Sequence, residues 1–242
     1  MSEVGFGKQK VAEDDVEDGV DVVIAIDGPA GSGKSSVARR VAELTGLRYL
    51  DTGASYRALT LALLRQGVPL DDPEAIADAA KTVDLTIELA PGPTSVAQVL
   101  IDGVARGPEL RTPEVNAAVP VVAAVPAVRE LVVALQRSLV DVGGIVVEGR
   151  DIGTVVWPGA DVKVFLTASD SERARRRSSD RGGGGESAEA LARRDRLDSG
   201  RAASPTRPAD DAVVIDSTDR TVDEVVEGIL RLVEAARTRR PR

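Results

Sequence analysis

DGPAGSGKSS, residues 27–36, is the stretch from which the rest of the chain can be placed. Ahead of it, Val20 to Asp27 (VDVVIAID) is a nearly continuous β-branched run, the pattern of a strand buried on both faces of a parallel sheet. Gly28 to Ser35 fits G-x-x-x-x-G-K-[ST] at every fixed position. Behind it Val37, Val41 and Leu44 recur at helical spacing until Gly46. Strand, glycine loop and helix therefore come in the order that a phosphate-binding loop needs. Glycines let successive backbone N–H groups turn inward around phosphate oxygens, and the helix N-terminus adds its positive end. Lys34 would reach the β- and γ-phosphates of a nucleoside triphosphate, and the Ser35 hydroxyl would ligate Mg²⁺.

Composition narrows the chemistry. The 242 residues include neither Cys nor His, which excludes disulfides, thiol nucleophiles, Cys/His zinc sites and histidine acid–base catalysis. Any reaction must rely on Asp, Glu, Lys, Arg and metal. No apolar run approaches the roughly 18 to 20 residues of a membrane span, and the N-terminus has no basic-then-apolar pattern, so a cytoplasmic protein without a membrane partner is expected. A net charge of −8 argues against nucleic-acid binding, which wants a basic face. Arginines nonetheless concentrate between Arg173 and Arg207, which suits a compact anionic ligand.

Five strands alternate with helices: Val20 to Asp27, Leu47 to Leu50, Ile145 to Glu148, Val162 to Leu166 and Asp211 to Asp216. That alternation predicts an α/β fold, a five-stranded parallel sheet with helices on both faces. Residues 1–19 are acidic and poor in apolar side chains, an extension excluded from the domain that fills 20–242. Asp71-Asp72-Pro73 opens a helix to about Thr82. Leu85 to Leu89 and Val96 to Ile101 then read as a hairpin that interrupts the alternation, an inserted unit over roughly 83 to 112, with Asp102-Gly103 as a turn. Glu114 to Val142 reads as a long helical region that Pro120 and Pro126 should kink or split. Past the fourth strand come an arginine-rich helix, the glycines 182–185, a charged helix from about Glu186 to Asp198, and a closing amphipathic helix, Val222 to Ala236.

Ligands of such sheets sit outside the carboxyl ends of the strands. Four polar groups fall there: the glycine loop, Asp51-Thr52-Gly53 with Tyr56-Arg57, Gly149-Arg150-Asp151, and the arginine helices after Leu166. They suit a second anion facing a triphosphate. Phosphoryl transfer needs in-line positioning and neutralised oxygen charge rather than covalent help, which fits a chain without histidine.

Six stretches together resemble the bacterial cytidylate (CMP/dCMP) kinases: IAIDGPAGSGKSS (Ile24 to Ser36), YLDTGASYR (Tyr49 to Arg57), ELRTPEV (Glu109 to Val115), VPAVRELVVALQR (Val125 to Arg137), IVVEGRDIGTVVWPGADVKVFLTAS (Ile145 to Ser169) and RRDRLDSGRAASP (Arg193 to Pro205). The resemblance implies a P-loop kinase core, an inserted nucleoside-monophosphate-binding unit at about 83–140, a mobile lid at about 173–198, and a monomer that uses ATP, Mg²⁺ and CMP or dCMP. It also implies roles. Gly28, Ala30, Gly31, Ser32, Gly33, Lys34, Ser35 and Ser36 would hold ATP, with Arg173 and Arg177 as lid arginines approaching it and Ser35 on the metal. Arg57, Arg150 and Arg201 match residues that hold the CMP phosphate; Thr52, Arg129 and Asp151, beside Tyr56, those around the cytosine; Arg194 and Asp198 those at the ribose. Lys34, Arg150, Asp151 and Arg194 would carry the transfer. Three positions depart from the pattern: Ser55 stands for a bulky apolar residue, Pro120 for a frequent Ser near the base, and the segment Ser178 to Ser187 is short and glycine-rich. Kinases of another small acceptor such as UMP are the nearest alternative. A nucleotide-dependent switch is remote, since the only Asn, Asn116, precedes Ala117 and not the N-K-x-D of guanine readers.

Overall fold

The computed structural model describes residues 22–89, 97–142, 144–179, 193, 196 and 206–239. The expected acidic extension, the glycines 182–185, Arg194, Asp198 and Arg201 lie outside the described residues. Strands β1 (Val23–Asp27), β2 (Arg48–Asp51), β6 (Ile145–Gly149), β7 (Val162–Thr167) and β8 (Val213–Asp216) form a five-stranded sheet in the order β2-β6-β1-β7-β8, every pair parallel. The register sets Asp27 beside Gly149 on one side and Phe165 on the other, and Asp51 beside Glu148. The polar residues at the strand ends thereby share one edge.

Helices cover both faces, which is why β1 reads as an unbroken apolar run. Its Ile24 and Ile26 pack with Val37 and Val41 of α1 (Lys34–Thr45) and with Val225 and Ile229 of the C-terminal helix α7 (Val222–Arg239). Val23 and Ala25 face the other way, toward Leu59 and Leu63 of α2 (Thr52–Arg65) and Val132 and Leu139 of α5 (Pro126–Val140). Among the described residues no single helix is long and apolar enough to cross a membrane.

The connection between α2 and α5 holds α3 (Pro73–Thr82), capped by Asp72 through the N–H groups of Glu74 and Ala75. It also holds a small antiparallel sheet where the sequence reading expected a hairpin: β3 (Leu85–Glu88), β4 (Gln98–Ile101) and a third strand, β5 (Val104–Arg106). Three residues, two of them exposed, carry no alternation to read; Asp102 and Gly103, both at positive φ, form the turn that makes β5 pair. The long helical region is split, as expected, at the second of its two prolines. α4 (Pro113–Val122) runs through Pro120, and the split falls at Pro126, which takes the first position of α5 and turns it by 102°. Val125, the residue before that proline, is extended as the steric rule requires.

Candidate active site

The glycine loop joins β1 to α1 with Gly28, Gly31 and Gly33 at positive φ, and Gly33 caps the helix. At Gly28 a Cβ would lie 2.0 Å from the Leu166 carbonyl oxygen, so this glycine allows the loop to lie against β7. Lys34 is buried; its Nζ donates to the Pro29 carbonyl at 2.6 Å, which holds the ammonium inside the loop it would serve.

Opposite the loop, β6 ends in Gly149-Arg150-Asp151 and passes into a π-helical turn, Ile152–Val156. The N–H groups of Ile152 and Gly153 donate to the two Asp27 carboxylate oxygens at 2.8 and 2.7 Å. Asp27 thus fastens the corner that carries Arg150 and Asp151 to the start of the glycine loop, and Arg150 donates to the Gly28 carbonyl at 2.7 Å. Burial pushes the Asp27 carboxyl up to about 6, the two backbone N–H groups pulling against it.

The acceptor side is built around a buried ion pair, Arg129 of α5 with Asp151. The Arg129 guanidinium lies 5.7 Å from the Tyr56 ring centroid. Thr52 donates its hydroxyl proton to the Glu148 carbonyl at 2.7 Å, which turns the oxygen's lone pairs toward other partners. Arg57 is buried and bonded to Asn116, whose amide donates to the Arg111 carbonyl at 3.0 Å. Ser55 is fully buried with its hydroxyl unpaired.

Arginines of α6 (Asp170–Ser179) form the opposite rim. Arg177 lines the cleft. Arg173 does not line the cleft; it is buried and donates to the Ala30 carbonyl at 3.0 Å. Arg176, which sequence reasoning passed over, donates to Ser217 Oγ at 3.0 Å and its carbonyl at 2.7 Å, and lies 3.4 Å from the Ser32 carbonyl.

Glu148 was also missed, although an acid closing the apolar run Ile145-Val146-Val147 was the available signal. Its Oε2 accepts from Ser35 Oγ at 3.0 Å and its Oε1 from the Tyr49 hydroxyl. Burial, then the charge of Asp51, pushes this carboxyl up, while Lys34 and the two hydroxyls pull it down. A serine hydroxyl beside a carboxylate is a hard-oxygen donor set of the kind Mg²⁺ takes, with water and phosphate completing its shell. The residues present fit that ion.

Most of these groups border one cleft of about 710 Å³, which runs from the loop and Ser217–Val222 at one end to Tyr56, Arg129 and Val119 at the other. Gly28 and Arg173 stand behind its wall; Ala30, Gly31, Ser32, Gly33, Lys34, Ser35, Ser36, Thr52, Tyr56, Arg57, Arg129, Arg150, Asp151 and Arg177 all line it. Arg194, Asp198 and Arg201 cannot be placed against it, since they fall outside the described residues.

The sequence model of the cytidylate kinase family matches residues 24–235. The cytidylate kinase of Rhodococcus opacus (strain B4) is 53% identical over 219 residues, 88% of this chain and 94% of that protein. The cytidylate kinase of Streptomyces griseus is 51% identical over 221 residues, 89% of this chain and 94% of that protein.

Proposed function

The chain belongs to the cytidylate kinase family, and from that premise we propose that it transfers the γ-phosphoryl group of ATP to CMP, giving CDP and ADP, and that it accepts dCMP as well. The observation that carries this reading is the single cleft joining the glycine loop to the buried Arg129–Asp151 pair. One end suits a triphosphate and the other a polar ring. An oxygen of the CMP phosphate attacks the γ-phosphorus, the bond from that phosphorus to the β–γ bridging oxygen breaks, and ADP leaves with the bridging oxygen.

The chain's residues position and neutralise. Loop N–H groups and Lys34 hold the β- and γ-phosphates, and Lys34 exchanges the Pro29 carbonyl for phosphate oxygen. Arg57 and Arg150 face the acceptor phosphate, with Arg194 and Arg201 assigned there by the family motif. Ser35 would hold Mg²⁺, with Glu148 accepting its hydroxyl proton from behind, and the ion would supply charge neutralisation at the phosphates. Arg177 serves the ATP side from the rim. We assign Arg173 to support of the loop, through Ala30, in place of direct contact with ATP.

Arg129 and Asp151 present a donor edge beside an acceptor edge. A guanidinium has five N–H groups and a carboxylate about four lone-pair sites, so one mutual contact exhausts neither. Cytosine offers the complementary pair, an N3 acceptor beside an N4 amino donor, whereas uracil reverses both. Pro120 is buried and has no hydroxyl to add. The reactants are cytoplasmic metabolites, and we place a monomeric enzyme in that compartment. ADP release measured with ATP, Mg²⁺ and each nucleoside monophosphate in turn tests the reading. CMP and dCMP should lead, with UMP lower by roughly 10² to 10⁴ in kcat/KM, two unmatched buried groups at about 1 to 3 kcal/mol each. Values for CMP and UMP within about threefold of each other, well under the tenfold worth ~1.4 kcal/mol, would assign a broader pyrimidine kinase instead.

A further inference from the structure

Tyr49 has no part in the transfer as described, yet it is buried at the centre of the site's support. It sits on β2 with 2% of its surface exposed, does not line the cleft, and points its hydroxyl at Glu148 Oε1 from a position 99 residues away in the chain. The other oxygen of the same carboxylate accepts from Ser35 Oγ at 3.0 Å. Above the tyrosine ring lies Arg39, 5.5 Å from the centroid.

A carboxylate held at each oxygen by a different hydroxyl cannot turn about its terminal bond without losing one of them. With Oε2 fixed, the Ser35 proton is committed to Glu148, and the Ser35 lone pairs are directed away from it. That is the orientation a hydroxyl needs to offer oxygen to a cation. Nearby charges would otherwise disturb the carboxylate, since Lys34 attracts it and Asp51 repels it. The phenol is a neutral donor that satisfies Oε1 without adding charge. We propose that Tyr49 is a positioning residue for the metal site: acting through Glu148, it aims the Ser35 hydroxyl at the Mg²⁺ that accompanies ATP. Partners one step removed from a metal ligand typically change metal affinity by about 10- to 100-fold when lost.

The inference rests on the reading of the glycine loop as a site for Mg·ATP, and is independent of which acceptor is used. The test is binding of a fluorescent ATP analogue to the full chain, titrated with Mg²⁺ and repeated in excess chelator. If the unaltered protein fails to bind the analogue, the reading of the loop fails. Given binding, Tyr49→Phe should raise the Mg²⁺ concentration for half-maximal binding about tenfold and leave the chelator value unchanged. Glu148→Gln should shift the same midpoint, and the double variant should shift no further than Glu148→Gln alone, because the tyrosine acts only through the carboxylate. An unchanged midpoint in Tyr49→Phe, an equal loss with and without Mg²⁺, or multiplying effects in the double variant would each overturn the proposal. Should Tyr49→Phe fold poorly, the comparison of Glu148→Gln with the double variant, which lacks both members of the pair, decides the matter.

Discussion

At the scale of single residues, charge sets the expectations. Lys34 donates to a loop carbonyl at 2.6 Å and would be drawn to phosphate as charge moves to the bridging oxygen, so Lys34→Ala should lower kcat by about 10² or more. Near-normal turnover in that variant, measured by steady-state ADP release, would remove Lys34 from the transfer. Arg129 and Arg57 should separate base reading from phosphate reading. Arg129→Ala breaks the buried pair with Asp151 and should shrink the CMP/UMP ratio of kcat/KM mainly by weakening CMP, whereas Arg57→Ala should weaken both substrates alike. Asp27 makes a pH prediction whose sign is opposite to that of a salt-bridged carboxylate. Its folded value, about 6, lies above the ordinary aspartate value of 3.8, so the native state binds the proton more tightly than the unfolded chain does. Its contribution is fully present below about pH 3.8 and is lost as pH rises through about 6. The stability of the unaltered protein relative to Asp27→Asn should therefore fall between about pH 4 and 6.5 in denaturant titrations, by about 1.4 kcal/mol for each tenfold difference in proton affinity. A difference flat with pH would show that Asp27 is not held in that state. The cost is the consequence of using a buried carboxylate to fasten two strand ends.

At the scale of elements, the glycine loop is supported from both sides. Below it, Gly28 at φ 147 lets the backbone lie against β7, and Gly28→Ala would set a Cβ 2.0 Å from the Leu166 carbonyl oxygen. Overpacking of this kind costs about 1 to 3 kcal/mol or more, so the variant should melt several degrees lower and bind ATP weakly even where it remains folded. Behind it, α6 reaches the loop carbonyls through Arg173 and Arg176 and ties them to Ser217 at the end of β8. Arg176→Met keeps the apolar stem and removes the hydrogen bonds. It should raise the KM for ATP severalfold more than that for CMP; equal effects on both would mean that the tie acts on the fold as a whole.

At the scale of the whole molecule, the two apolar clusters on either face of the sheet hold the strand ends in register, and the cleft is what the sheet's carboxyl edge leaves open. A ligand that binds only the folded chain stabilises it by about 2.7 kcal/mol at 100 times its Kd. ATP with Mg²⁺ should therefore raise the melting temperature of the unaltered protein by several degrees and that of Lys34→Ala by less. What the sequence determined by itself was whatever is local. The loop, its strand and its helix lie within 27 residues, strand alternation and turn residues act over a few positions, and these were enough for the α/β sheet, the order of elements and the polar groups at the strand ends. The partners, by contrast, depended on the folded chain. Arg129 meets Asp151 across 22 positions, Arg57 meets Asn116 across 59, Tyr49 meets Glu148 across 99, and Asp27 meets Ile152 across 125. Three of these four cross between strand ends or between a helix and the inserted unit, and no periodicity spans such distances. The sheet order β2-β6-β1-β7-β8 brings Tyr49 to Glu148 and Asp27 to Ile152, because it sets β6 between β1 and β2. Side-chain partners followed the same rule: Arg173, which the resemblance assigns to the ATP side, is buried and donates to the Ala30 carbonyl 143 residues away.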